Sequence, residues 1–148
     1  CFLIGHDNRE PVFAHHVIDV EKQDVVAEIH RLTADKGADV IVDFVGSSET
    51  LQNSVASLAR SGRLAIIGVS RASEAKVVAS ATQLVRAEQS ILGSRAFTRQ
   101  EIVDCLDLVA RGVLKPIVNQ LYPLEEANKA HELVGSGRNI GRVVLSVG

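Results

Sequence analysis

The chain has 148 residues, with 16 basic and 18 acidic side chains and a formal charge of −2. That length suffices for one domain with a real core. The charges form no basic block or stripe, and only four Phe and one Tyr are present, which excludes nucleic acid, anionic membrane and base-stacking platforms as expected partners.

Phe2-Leu3-Ile4-Gly5 predicts a short strand. A chain that opens inside a strand, without Met or a charged leader region, reads as a fragment with no signal peptide. Residues 6–15 are polar and broken by Pro11, and 16–20 predict a small strand. Over 21–34 the residues Val25, Val26, Ile29 and Leu32 share one helical face, and Gly37 is the expected C-cap.

Residues 39–45 are a nearly continuous apolar run, interrupted by Asp43. Such a run predicts a strand covered on both faces, as in a parallel sheet. It ends at Gly46-Ser47-Ser48, and ligands of such sheets sit beyond the carboxyl ends of the strands. Residues 44–48 are therefore the first candidate site.

Leu51, Val55 and Leu58 predict a helix from about 48 to 60, stopped by Ser61-Gly62. Residues 64–68 predict the next buried strand, 69–76 a polar loop, 80–87 a short helix and 90–94 another strand. Thr98-Arg99-Gln100-Glu101 matches a capping box, and Ile102, Leu106, Val109 and Val113 continue an apolar face behind it. Residues 116–121 are strand-like. Glu125 and Glu126 open a helix buried through Ala127, Ala130, Leu133 and Val134, and 141–145 close the chain as a strand. This alternation argues for an α/β, doubly wound parallel sheet in a single domain, with right-handed crossovers.

The residues alone assign no catalytic group and no metal site. A Gly-x-Gly-x-x-Gly phosphate loop between strand and helix is absent. The nearest spelling, Gly135-Ser136-Gly137-Arg138-Asn139-Ile140-Gly141, is one residue off and follows a helix, so it reads as a C-cap and turn. His15 and His16 point different ways on any strand, and no further ligands stand at chelating spacing. His30 and His131 read as solvated or half-buried helix residues. Cys105 reads as a small core residue. Cys1 and Cys105 make neither a disulfide framework nor a metal clip, and fit a reducing cytoplasm. No apolar run approaches ~20 residues, so no membrane span is expected.

Six stretches resemble the C-terminal part of the medium-chain, zinc-type alcohol dehydrogenases, in that family's order. They are Gly37–Gly46, Gly62–Val69, Ile91–Ser94, Val109–Pro116, Tyr122–Ala127 and Gly141–Val144. The resemblance implies a partial Rossmann-type sheet that lacks its first strand and glycine-rich loop. The N-terminal catalytic domain, with its zinc, would be absent, leaving a cofactor domain inactive alone.

By the same resemblance NAD or NADP is the cofactor. Asp7 would hold the adenosine ribose and favour NAD; as a loop residue it could equally be merely solvated. Phe44, Val45 and Gly46 would flank adenine and ribose, the plain alternatives being core for Phe44 and a turn for Gly46. Gly68, Val69 and Ser70 would lie beside the nicotinamide, Gly68 letting backbone approach the ring. Ser94 and Arg95, with Ala96, would meet the carboxamide. Arg142 would reach the pyrophosphate, or else be an exposed strand arginine. The strand at 90–95 would pair with its twin in a homodimer. The expected reaction of the whole enzyme is hydride transfer between an alcohol and nicotinamide. A zinc-independent quinone reductase fragment, or a non-catalytic dimerisation or binding module of the same fold, is the alternative.

Overall fold

The structure, a computed structural model, describes residues 2–5, 14–69 and 75–147, with side chains from residue 14 onward. Asp7, Ser70, Cys1, most of the polar stretch 6–15 and most of the predicted loop 69–76 lie outside the described residues. The chain divides into two units, Cys1–Arg95 and Ala96–Gly148.

In the first unit, β1 (Phe2–Gly5) pairs in parallel with β2 (His16–Asp19). The following helix α1 (Val25–Leu32) is shorter than the predicted 21–34. Residues 20–23 are taken by a turn: the carbonyl of Asp19 accepts the N–H of Lys22 and of Gln23, and the Gln23 side chain accepts the N–H of Asp19. Asp24 then caps α1 by accepting the N–H of Ala27 at 2.8 Å. Val25 and Ile29 bury against Ile18, with Val20, Leu32 and Ala38 around them. The helix ends at Thr33, four residues before the expected glycine cap. Gly37 has another reason to be glycine: at φ +81° a Cβ there would lie 2.8 Å from the backbone of Ser57 and Ala59.

The second sheet has the order β3 (Ala38–Asp43), β4 (Leu58–Ile66), β5 (Ser90–Gly93), all parallel. Helix α2 (Ser48–Ala56) joins the first two strands and α3 (Ala81–Ala87) precedes the third. The predicted helix end at 60 is corrected here, because β4 already begins at Leu58. The carbonyl of Ser57 accepts the N–H of Ala38, and Leu58 stands opposite Ala38. From Ala38 to Val40 takes two steps along β3 but five along β4, a bulge that holds Ser61 at φ +57°. Val55, Leu58 and Leu64 form the core beneath this sheet, lined by Ile41, Ile66, Ala79 and Ile91.

The expectation that β3 is covered on both faces is not met. Ile41 packs on that core, but Val40 and Val42 are 58% and 45% exposed. The strand therefore alternates, one face covered and the other bare.

In the second unit, α4 (Arg99–Ala110) starts at the predicted capping box: the Thr98 hydroxyl accepts the N–H of Glu101, and the Glu101 carboxyl accepts from the Thr98 N–H and hydroxyl. Its apolar face is exposed at Ile102, Leu106 and Val109, as is Val113 beyond the helix end, and so is Cys105, which corrects the core reading of that cysteine. A parallel pair follows, β6 (Val118–Pro123) and β7 (Arg142–Ser146), joined by a 3-10 turn at Leu124–Glu126 and α5 (Ala127–Gly135). Only Ala130 of the four expected apolar positions on α5 is buried. The Gly135–Gly141 stretch is the helix end and turn expected of it, with Gly137 and Gly141 at positive φ.

The cap on α4 makes a testable element. Thr98→Ala should cost about 1 kcal/mol of stability, read by urea denaturation. The two hydrogen bonds from Thr98 hold the Glu101 carboxyl below its ordinary range. A pKa lower in the folded than in the unfolded chain gives stability that is complete above the unfolded value and is lost as pH falls through the folded one. The difference between the native chain and Thr98→Ala should therefore shrink on acidification through that window. A difference independent of pH there would contradict the capping box.

Candidate functional site

Parallel pairing brings the carboxyl ends of β3, β4 and β5 to one edge, and backbone hydrogen bonds stitch that edge together. The carbonyl of Asp43 accepts the N–H of Ile67 at 2.8 Å and of Gly68 at 2.9 Å; the carbonyl of Ile66 accepts the N–H of Ser94 at 2.9 Å. The edge so formed carries Phe44, Val45, Gly46, Gly68, Val69, Ser94 and Arg95. Arg142 belongs to the second unit, where it opens β7 as an exposed residue and its N–H donates to the carbonyl of Ile117.

The Asp43 side chain organises the turn beyond β3. It is buried, and Oδ1 accepts the N–H of Val45 at 2.7 Å and of Gly46 at 2.8 Å. Among the described residues Oδ2 has no hydrogen-bond partner although it is buried. An aspartate inside an apolar strand run is a poor strand former. That misfit is the signal in the sequence for its role.

The two glycines fit each other. Gly46 sits at φ +67°, and a Cβ there would lie 2.2 Å from the Gly68 carbonyl oxygen. A Cβ on Gly68 would lie 2.2 Å from the backbone carbonyl of Phe44. Gly68 is thus required by the neighbouring strand end, before any ligand is considered.

Phe44 is 72% and Val69 92% exposed, with Val45 also bare. Phe44 is therefore not a core residue, and the turn reading of Gly46 holds together with its place at the edge. Three exposed apolar side chains beside close-packed backbone can flank a planar ligand, a use for which burial elsewhere offers no competing reason. Ser47 caps α2 immediately beyond, in a reciprocal pairing with Thr50.

Elsewhere, a shallow apolar groove of about 270 Å³ runs along α4 between Phe97, Glu101, Ile102, Cys105, Leu106 and Val109. Its one ionisable acid, Glu101, is engaged in the helix cap. Among the described residues no three His, Cys, Asp or Glu are grouped to hold a metal ion, and no helix is long and apolar enough to cross a membrane.

The profile of a family described as zinc-binding dehydrogenase matches residues 13–145. An NAD-dependent alcohol dehydrogenase of Sulfurisphaera tokodaii is 31% identical over 150 residues, covering 97% of this chain and 42% of that protein. A quinone oxidoreductase of Rattus norvegicus is 27% identical over 139 residues, covering 89% of this chain and 41% of that protein. The crystal structure of an NAD-dependent alcohol dehydrogenase superposes with a TM-score of 0.77 at 35% identity, over 91% of this chain and 38% of the other. The chain thus spans less than half the length of these proteins, and its α/β fold of parallel strands matches the Rossmann-like cofactor part of an alcohol dehydrogenase.

Proposed function

The chain belongs to the family of zinc-binding dehydrogenases, and from that membership we propose that its 148 residues act as one nucleotide-binding domain holding NAD or NADP. The reading rests on the stitched edge at the carboxyl ends of β3, β4 and β5, where exposed Phe44, Val45 and Val69 stand beside close-packed Gly46 and Gly68. The residues present fit a dinucleotide. Phe44, Val45 and Gly46 would hold adenine and ribose, and Gly68 and Val69, with Ser70 after them, the nicotinamide. Ser94 and Arg95 would fix the carboxamide. Asp7 would hold the ribose and favour NAD, because a carboxylate there repels an added phosphate.

Held at this edge by Gly68 and Val69, a nicotinamide ring would supply the hydride-accepting and hydride-donating carbon. The exposed side chain of Val69 would orient that ring and keep water from one side of it. In the full enzyme the partner of the exchange would be an alcohol or aldehyde. The donor set for a zinc ion would come from residues other than those described, since no three His, Cys, Asp or Glu are grouped among these. Among the described residues β5 ends the sheet with its outer edge unpaired, and Leu92 is exposed. A homodimer through 90–95, in the cytoplasm, is the natural completion of such an edge.

Nicotinamide fluorescence tests the reading, since the chain has no Trp to confuse the signal. Saturable NADH binding is expected, with no oxidation of alcohols by this chain alone. Failure to bind either NADH or NADPH would leave a scaffold of the same fold and overturn the cofactor assignment. Similarity to the rat quinone oxidoreductase favours a second reading, a zinc-independent reductase using NADPH. Tighter binding of NADPH than of NADH would select it.

A further inference from the structure

We infer that Asp43 is a positioning residue that holds the two walls of the cofactor edge as a single piece. The inference rests on the functional reading above and goes beyond it, because buried Asp43 acts through the residues of both walls by accepting their backbone N–H groups.

Its two halves act on different walls. The side-chain Oδ1 accepts two N–H groups, of Val45 and Gly46, and so shapes the turn that carries Phe44 and Val45. The main-chain carbonyl of the same residue accepts the N–H of Ile67 and Gly68, and so fixes the strand end that carries Val69. The two walls also meet directly, since neither Gly46 nor Gly68 leaves room for a Cβ between them. A shift of the 44–46 turn therefore has to move Gly68. Four backbone donors converge on one buried residue, and each would otherwise need another acceptor.

The carboxyl is used on one side only. Oδ1 holds two donors, while Oδ2 is buried with no donor among the described residues. What the site requires at position 43 is thus one acceptor oxygen at a fixed reach. Asparagine supplies that oxygen. Alanine supplies none, and glutamate supplies it one methylene too far.

The test uses the whole chain, with NADH titrated directly and ADP-ribose by displacement of NADH. ADP-ribose carries the adenosine and pyrophosphate but no nicotinamide, so it reports one wall where NADH reports both. Asp43→Ala should weaken ADP-ribose about tenfold and NADH about a hundredfold, while Asp43→Asn stays within about threefold of the native chain for both. If Asp43→Ala does not fold, Asp43→Glu takes its place, with the same unequal loss expected. Amide exchange by NMR gives a readout free of ligand. Removing the side chain should speed exchange at Val45 and Gly46, whose acceptor is gone, and at Ile67 and Gly68, whose acceptor carbonyl remains; asparagine should restore all four.

Equal losses for the two ligands, or unchanged exchange at Ile67 and Gly68, would overturn the coupling. So would a failure of asparagine to restore binding. If the native chain binds neither ligand, the cofactor reading falls and the exchange comparison alone decides whether Asp43 ties the two strand ends together.

Discussion

Gly68→Ala is expected to abolish NADH binding and to lower stability by about 3 kcal/mol or more. The added methyl would stand 2.2 Å from both the carbonyl carbon and oxygen of Phe44 and 2.4 Å from the N of Val45. All three are main-chain atoms of the next strand end, so no side chain can swing away to make room. Relief requires β3 and β4 to part where the N–H of Gly68 meets the carbonyl of Asp43, which breaks a bond of 2.9 Å. Gly46→Ala should behave alike, with the further strain of φ +67° for a residue bearing a Cβ. Gly135→Ala is the matched control. No atom lies within 4 Å of a Cβ there, and it ends α5, so alanine should be neutral or stabilise by up to about 1 kcal/mol. Urea denaturation with NADH titration reads all three. A Gly68→Ala chain that is as stable as the native one and binds NADH equally would mean the strand ends are not packed as described.

The part of this edge that was legible in the sequence was its position, and the part that was not was its wiring. An apolar run closing on Gly-Ser-Ser marks a strand end, and strand ends of parallel sheets collect at one edge. That logic, with the family resemblance, pointed to Phe44, Val45, Gly46, Gly68, Val69, Ser94 and Arg95, and the structure places these seven on the same edge. The resemblance gives Gly68 a place beside the nicotinamide, while within the chain a Cβ there would meet the backbone of Phe44. Which neighbour a glycine accommodates is a long-range fact that local sequence does not carry. Asp43 escaped for the same reason. Its spacing to Val45 and Gly46 is local, but its carbonyl bonds to Ile67 and Gly68 depend on the register of β3 with β4.

Elsewhere the pattern of apolar residues was right and its consequence was not. Ile102, Leu106 and Val109 do form one face of α4, yet that face is bare, and the helix ends at Ala110 before it reaches Val113. Periodicity identifies the side of an element suited to burial and says nothing of what covers it. Leu51, Val55 and Leu58 likewise satisfy a helical repeat, but Leu58 is claimed by pairing with Ala38 and opens β4 instead. An apolar residue at a helix end serves either element, and the hydrogen bond from Ala38 to the Ser57 carbonyl decides between them.

Leu64→Ala is expected to cost about 4 kcal/mol, within the range of roughly 2–5 for emptying a buried leucine site. Leu64 is 0% exposed and lies in the middle strand of the sheet, opposite Ile41 on β3 and Ile91 on β5. Both flanking strands and Val55 and Leu58 depend on it for contact, and hydrogen-bonded strands on each side limit how far the site can collapse onto the cavity. The same change at Leu106 removes an exposed side chain and should cost less than about 1 kcal/mol. The contrast matters because so many apolar side chains of this chain are exposed, leaving the buried clusters small. A domain held by about 5–15 kcal/mol can lose most of its margin at one such position. Denaturant midpoints for the two variants check the ranking. Leu106→Ala proving the more damaging of the two would mean that the bare face of α4, rather than the centre of β4, carries the chain's stability, and the strand edge built on β4 would lose its foundation.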